Sequence, residues 1–420
     1  MWRKRLTVVV ALLGLTVVIA GISFAAGIYV AEHPRISVAS RIPLVDYGNR
    51  SVDTRPAASA PADMEEAFEV FWDVWRIIEN DFFGETDRQT MIHGAIKGMV
   101  QALNDPYTQY IDPQQNAIMR EDDSGEFEGI GATVDMVDGR LIIVSPLKGS
   151  PAEQAGLKAG DVILEVGGTP IEDMDLMEAV SLVRGPKGST VSLVIQREGV
   201  SDPFTVSIVR AEIPLISVES WTLTDQIGYL AIHSFGGRTM KELDDSLREL
   251  EKQGVKALIL DLRGNPGGFL DAAVETVSRF VETGPVLWWE EADGASYPIR
   301  VKPRRAFGWP MVVLIDEGSA SASEIVAGAL RDSGRAILIG TRSFGKGSVQ
   351  NIHQLRDGGS VRVTTAHWLT RDKHEIQGIG LDPDVHIAQD HTQPDVDRQL
   401  NFARRLLQSR IATPHYVPFQ

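Results

Sequence analysis

The chain of 420 residues contains no cysteine. A disulfide framework, a thiolate nucleophile and a cysteine-ligated metal are therefore excluded. Its nine histidines are scattered, and no HExxH places two of them on one helical turn, so there is no zinc-hydrolase motif. Positive charge is in short supply. Against 57 Asp and Glu stand 41 Lys and Arg, a formal net charge of −16. A body that acidic repels phosphate backbones and anionic lipid, so nucleic acid is not an expected partner.

Residues 6–31 form a long uncharged stretch, preceded by Arg3, Lys4 and Arg5. About 20 apolar residues suffice to cross a bilayer. A basic flank before the span keeps the start cytoplasmic and exports the remainder of the chain. The expectation is a transmembrane helix: a single-pass protein of the cell membrane with its body on the extracytoplasmic side. Ser23-Phe24-Ala25 also fits a small-x-small cleavage site, so export after signal cleavage is the competing reading.

The rest divides by composition and periodicity. Residues 32–62, rich in Pro, Ser, Ala and Arg, read as a linker. Over 63–122 the pattern is helical: Phe68, Phe71, Trp72, Trp75, Ile78 and Phe82 recur at helical spacing, and a second helix is expected near 90–103. Residues 123–212 read as short strands with a helix at 176–184. Over 213–390, buried-type strands at 257–260, 311–315 and 336–339 alternate with helices at about 239–252, 270–282 and 322–332. That alternation argues for an α/β domain. An amphipathic helix with Val396, Leu400, Ala403 and Leu406 occupies the tail, 391–420.

Three segments in the α/β region carry chemistry. Ser319-Ala320-Ser321-Ala322-Ser323-Glu324 follows a strand and opens a helix. Free N–H groups at such a helix N-terminus stabilise negative charge, although Ser321 with Glu324 also fits a capping box that needs no catalysis. Lys346 lies between Gly345 and Gly347 in a loop after the 336–339 strand. It is not a phosphate-binding GxxxxGK[ST], and by itself it fits a solvated turn. The run 261–268 (DLRGNPGG) also follows a strand. Its glycines fit either a tight turn or a cradle of backbone N–H groups for an anion. Spacing alone does not choose among Ser319, Ser321 and Ser323.

Together with LNDPYTQYIDP (103–113), GEFEGIGA (125–132) and SPAEQAGLKAGDVILEVGGTPI (150–171), these segments resemble the carboxyl-terminal processing proteases, serine peptidases that include tail-specific protease. The resemblance spans about 63–388. Asn104 and Tyr107 depart mildly from the family's LDPHS-type segment. The resemblance implies a helical N-terminal region, a PDZ-like domain and a crotonase-like α/β protease core. It implies Ser321 as nucleophile, Lys346 as general base and Gln350 as the residue that orients the lysine. Oxyanion donors would be the N–H of Gly267, or of Gly268, and of Ala322, and Asp332 matches a position of supporting role.

A lysine is a base only when neutral, so its site must lower its pKa. Phe344 and Val349 are the apolar neighbours expected to exclude water. By the same resemblance Gly129, Ile130, Gly131 and Ala132 form the PDZ carboxylate loop, with Ile130 and Ala132 lining an apolar pocket. The expected substrates are proteins with apolar C-termini. Arg184 matches a position that couples the two domains, though it also reads as a solvated turn arginine. Neither metal nor organic cofactor is implied. The terminal helices could support a homo-oligomer. The rival from another class is a catalytically silent membrane-anchored PDZ scaffold or chaperone.

Overall fold

The structure, a computed structural model, describes residues 62–412 apart from 173, 391, 392, 394 and 395. Two helices (Ala62–Asp81 and Arg88–Gln101) lead to strand β1 (Gln109–Ile111) and a helix at Pro113–Ser124. A β-rich region comes next, with β2 (Glu126–Gly129), β3 (Ala132–Val137), β4 (Arg140–Pro146), β5 (Val162–Val166), β6 (Thr169–Pro170), β7 (Thr190–Gln196), β8 (Phe204–Val209) and β9 (Ala211–Pro214), and helices at Pro151–Gln154 and Leu176–Val183. The last part holds β10 (Val218–Thr222), β11 (Ile227–Ile232), β12 (Ala257–Asp261), β13 (Pro285–Glu291), β14 (Ser296–Arg300), β15 (Met311–Ile315), β16 (Ala336–Gly340), β17 (Ser348–Gln354), β18 (Ser360–Leu369) and β19 (Val385–His386). Its helices are Thr239–Lys252, Leu270–Val277, Ala322–Asp332 and Arg398–Ala412.

The main sheet has the order β10-β11-β12-β15-β16-β19, parallel throughout except for the antiparallel pair β10–β11. Its central strands are unbroken apolar runs because both faces are covered. Leu258, Leu260, Met311, Val313 and Ile315 pack with the helices at 239–252, 270–277 and 322–332. The alternate residues Ala257, Ile259, Val312 and Leu314 pack under Ala403 and Leu407 of the last helix. A second sheet, β1-β18-β13-β14 with β17 on β18, flanks this core. In the β-rich region β3-β4-β5-β7-β8 form a sheet with β3 at one edge, and its entry and exit strands, β2 and β9, pair with each other.

One part of the sequence-based fold class needs correction. No helix among the described residues is long and apolar enough to cross a membrane. The longest, Ala62–Asp81, has 20 residues, but Glu66, Glu69, Asp73, Arg76 and Glu79 recur along it and would be carried into the bilayer. Among the described residues the fold is a multi-domain α/β arrangement without a transmembrane helix. Residues 1–31, to which that helix was assigned, lie outside the described residues.

Among the elements that the sequence reading did not place are one helix and a pair of strands beside the site. The helix at Pro113–Ser124 is too polar to show a periodic apolar face. Its ends are fixed locally: the Asp112 carboxylate accepts the Gln115 N–H, Pro113 fills the first turn, and Gly125 closes it at φ 88°. The pair β17–β18 mixes polar and apolar residues because only part of it is covered.

Candidate active site

The 311–315 strand delivers the serine run to the end of the main sheet. Ser319 and Ser323 are fully buried. Their hydroxyls donate to Leu262 O (2.8 Å) and Asn265 O (2.9 Å). Both serines therefore tie the run to the 261–268 loop. Ser321, between them, is partly exposed and caps the Ala322–Asp332 helix at φ 53°, ψ −112°. A non-glycine residue with that backbone is strained and persists only where its surroundings hold it.

Glu324 does much of the holding. The Ser321 N–H donates to its Oε2 at 2.9 Å, the half of the capping box expected from the sequence. The same oxygen accepts the Lys346 N–H at 2.9 Å. The nucleophile candidate and the base candidate, 25 residues apart in sequence, thus have backbone nitrogens within two hydrogen-bond lengths of each other.

The glycine loop closes against the serine. A Cβ on Gly267 would stand 2.9 Å from Ser321 Cβ, 3.1 Å from Ala322 N and 2.8 Å from Ala320 O. Asn265, fully buried, supports the loop by donating to Ile232 O at 2.7 Å. Its Oδ1 accepts the Gly267 N–H at 2.9 Å. Of the N–H groups the resemblance implies for an oxyanion, that of Gly267 is thus engaged. Those of Gly268 and Ala322 donate to no group among the described residues. Asp332 sits at the far end of the 11-residue helix, roughly 16 Å from Ser321 at 1.5 Å per residue. There it binds Arg331 and the Asp372 N–H.

The glycines beside Lys346 are required by backbone packing. A side chain on Gly345 would meet Gly380 N at 2.9 Å, and one on Gly347 would meet Gln377 N at 2.7 Å. Lys346 Nζ lies 5.1 Å from the centroid of the Tyr107 ring, so the departure from the family's LDPHS-type segment faces the candidate base. Burial lowers the Lys346 pKa from its ordinary value, and the nearby Arg362 guanidinium lowers it further. Val349 is buried, as the water-excluding role requires, but Phe344 is 58% exposed and does not shield the amine. Trp368 is buried beside the lysine's backbone, and its Nε1 donates to Lys346 O at 3.2 Å. Gln350 donates its amide to the hydroxyls of Ser348 (2.9 Å) and Thr364 (3.3 Å).

In the β-rich region, Gly129 ends β2 and Ala132 begins β3, with Ile130 and Gly131 between them. Ile130 is 3% exposed and belongs to that region's own core, with Ala132 packed partly against it. The carbonyls of Ile130 and Gly131 accept from Ala152 and Leu147. Their N–H groups donate to no group among the described residues. Arg184 is not solvated. It pairs with Glu121 (3.2 Å) and Asp122 (2.8 Å) on the 113–124 helix and lies over the Phe127 ring.

Three family models match the chain: peptidase family S41 at 226–387, a PDZ domain at 142–197, and the N-terminal domain of the activating protease CtpB at 25–115. The carboxy-terminal processing protease CtpA of Bacillus subtilis (strain 168) is 41% identical over 349 residues, 83% of this chain and 74% of that protein. The chain belongs to the carboxyl-terminal processing proteases of peptidase family S41. CtpB of the same organism is 40% identical over 338 residues, covering 79% of this chain and 70% of the relative. Among solved structures, a photosystem II D1 C-terminal processing protease is 29% identical with a TM-score of 0.49, covering 82% of this chain and 93% of the other. The protein is thus a serine-type hydrolase with a PDZ domain, and its substrates are proteins.

The sequence reading missed several residues of this S41 site. Glu324 was seen only as a cap, and Asn265 and Arg362 were not singled out. Nothing local marks their wider roles, since Glu324 and Asn265 also bind segments distant in sequence and Arg362 acts on Lys346 from strand β18.

Proposed function

We propose that this S41 protease cleaves proteins near their C-termini with Ser321 as nucleophile and Lys346 as general base. The observation that carries the reading is the shared Glu324 oxygen, which brings the backbones of both residues together beside the glycine loop. Ser321 Oγ attacks the scissile carbonyl carbon while its proton passes to neutral Lys346 Nζ. The oxyanion that forms faces the N–H groups of Ala322 and Gly268, with Gly267 packed beneath. As the C–N bond breaks, the Lys346 ammonium returns the proton to the leaving amine. Lys346 then takes a proton from water as the water oxygen attacks the acyl-enzyme, and the ammonium gives that proton to Ser321 Oγ as the acyl C–O bond breaks, freeing the acid product and restoring both residues. Gln350, its amide donated to Ser348 and Thr364, retains a carbonyl oxygen to orient the ammonium.

Substrate selection falls to the β-rich domain. Strand β3 is a sheet edge and can take an extended peptide as an added strand. The unengaged N–H groups of Ile130 and Gly131 suit a terminal carboxylate, and an apolar terminal side chain suits the Ile130–Ala132 end of the strand. The terminal helices are the proposed contacts of a homo-oligomer. Export of the catalytic body is inferred from the basic flank of residues 6–31.

The test is cleavage by the full chain of an unstructured protein with an apolar C-terminus, free or amidated. Amidation is expected to raise KM at least tenfold. Gly131→Ala should do the same on the free substrate, because a Cβ there meets Ser150 Cβ at 2.5 Å at φ 73°. Equal KM values would refute C-terminal recognition. Binding without any cleavage would favour the scaffold.

The pH profile tests the base. Because Lys346 acts when neutral and its pKa is lowered, kcat/KM should rise with pH along a limb centred below the ordinary lysine value of about 10.4. Removing the neighbouring cation with Arg362→Leu lets that pKa rise. The limb should move to higher pH and the rate at neutral pH should fall. An unmoved limb would mean that Arg362 does not act on the titrating base.

A further inference from the structure

Glu324 is fully buried, one helical turn from Ser321. Four donors converge on its carboxylate. Oε1 accepts from Ser343 Oγ at 2.6 Å and from the Gly345 N–H at 2.8 Å. Oε2 accepts from the N–H groups of Ser321 and Lys346, each at 2.9 Å. Four donors are what a carboxylate can accept, and an amide in its place offers one oxygen and two unwanted hydrogens. Two elements that the chain builds separately, the start of the 322–332 helix and the loop at 343–347, are thus joined through one side chain. The backbone adds a direct link just before the helix, where the Phe344 N–H donates to Ser319 O at 3.0 Å.

A capping box would require much less. It needs one acceptor for the Ser321 N–H, and Gln serves there as well as Glu. The other three donors all come from the lysine loop and have no part in ending a helix. The carboxylate also sits where backbone strain is stored, since Ser321 keeps its φ of 53° while its N–H is held.

We propose that Glu324 is a positioning residue, fixing the backbone of Ser321 against that of Lys346 so that the hydroxyl and the amine are in register for proton transfer. The proposal rests on the Ser321–Lys346 reading above. A displacement of about 1 Å between such groups costs on the order of 100-fold in rate. The expected signature is therefore a loss in kcat with substrate binding intact.

The experiment compares Glu324→Gln and Glu324→Asp with the parent full chain, measuring kcat, KM, melting temperature and affinity for a C-terminal peptide. Glu324→Gln keeps a cap for Ser321 and breaks the four-donor array. Glu324→Asp keeps the charge but is one methylene too short to serve both segments. Both are expected to lower kcat about 100-fold or more, with KM and peptide affinity within about threefold of the parent. Leu407→Ala, buried on the opposite face of the main sheet, is the control for lost stability. A fall in kcat matching that of the Glu324 variants in this control would reduce Glu324 to a structural group.

Normal kcat in Glu324→Gln would overturn the proposal outright and leave a simple cap. Ser321→Ala and Lys346→Ala run in parallel. If either stays active, the Ser/Lys reading itself fails; if both are inactive while Glu324→Gln is not, only the positioning role fails. Should the Glu324 variants not fold, hydrogen exchange on the parent decides. The Ser321 and Lys346 amides are expected to be protected together, and fast exchange at either one overturns the proposal.

Discussion

Ser321→Ala and Lys346→Ala are each expected to lower kcat by roughly 10⁴-fold or more, with little change in the binding of a C-terminal peptide. The magnitude is that of removing one member of a nucleophile–base unit, and the double variant should be little worse than either single one. The informative companion is Lys346→Arg. Arginine keeps the positive charge, but its guanidinium does not deprotonate in a protein. If Lys346 served only as a cation to hold substrate, arginine would preserve much of the activity. If it is the base, Lys346→Arg is as inactive as Lys346→Ala. Folding is checked by melting temperature, since Lys346 sits beside the buried Trp368. Unchanged cleavage in well-folded Ser321→Ala would remove the serine from the mechanism.

Gly267→Ala is expected to cost roughly 10²- to 10³-fold in kcat, the size seen when one oxyanion donor is lost. Two effects act together. The backbone at φ 105° is one that side chains rarely adopt, and the added Cβ would meet Ser321 Cβ and Ala322 N at 2.9 and 3.1 Å. The loop must then move away from the helix N-terminus, opening the space where the oxyanion is proposed to sit. Peptide affinity should hold, because the β-rich domain is separate in sequence and packs on its own core. The measurement is kcat with peptide affinity and melting temperature alongside. A Gly267→Ala protein with normal kcat would mean that this loop does not border the reacting carbonyl.

Much of this protein was legible from sequence because its signals are local. The apolar strands at 257–260, 311–315 and 336–339 needed only their unbroken character to be placed, since a strand covered on both faces leaves no polar alternation. The helix beginning at Ala322 was marked by the serine run before it and by Glu324 three residues on from Ser321. The Leu270–Val277 helix stops earlier than the expected 282; the apolar pattern runs on through the buried Phe280 and Val281, which lie beyond its end.

Other features were decided by contacts across long separations. Spacing could not choose among three serines. In the fold Ser319 and Ser323 are buried, their hydroxyls committed to carbonyls of a loop near 58 residues away, while Ser321 is partly exposed. Apolar character suggested that Phe344 would shield the lysine, yet it is exposed, and the buried aromatic that binds the lysine's backbone is Trp368, 22 residues on from Lys346. Arg184 reads as a turn arginine until the 113–124 helix supplies Glu121 and Asp122.

The sequence by itself determined the family, the order of the domains' motifs and the residue types available for chemistry, because these reside in short runs whose meaning does not depend on distant neighbours. Only the tertiary structure decided which serines of the run are buried, why Lys346 is desolvated and which carboxylate joins its backbone to that of Ser321. Those properties belong to pairs of residues rather than to segments, and a carboxylate such as Glu324 acquires its four donors only when the helix start and the lysine loop come together.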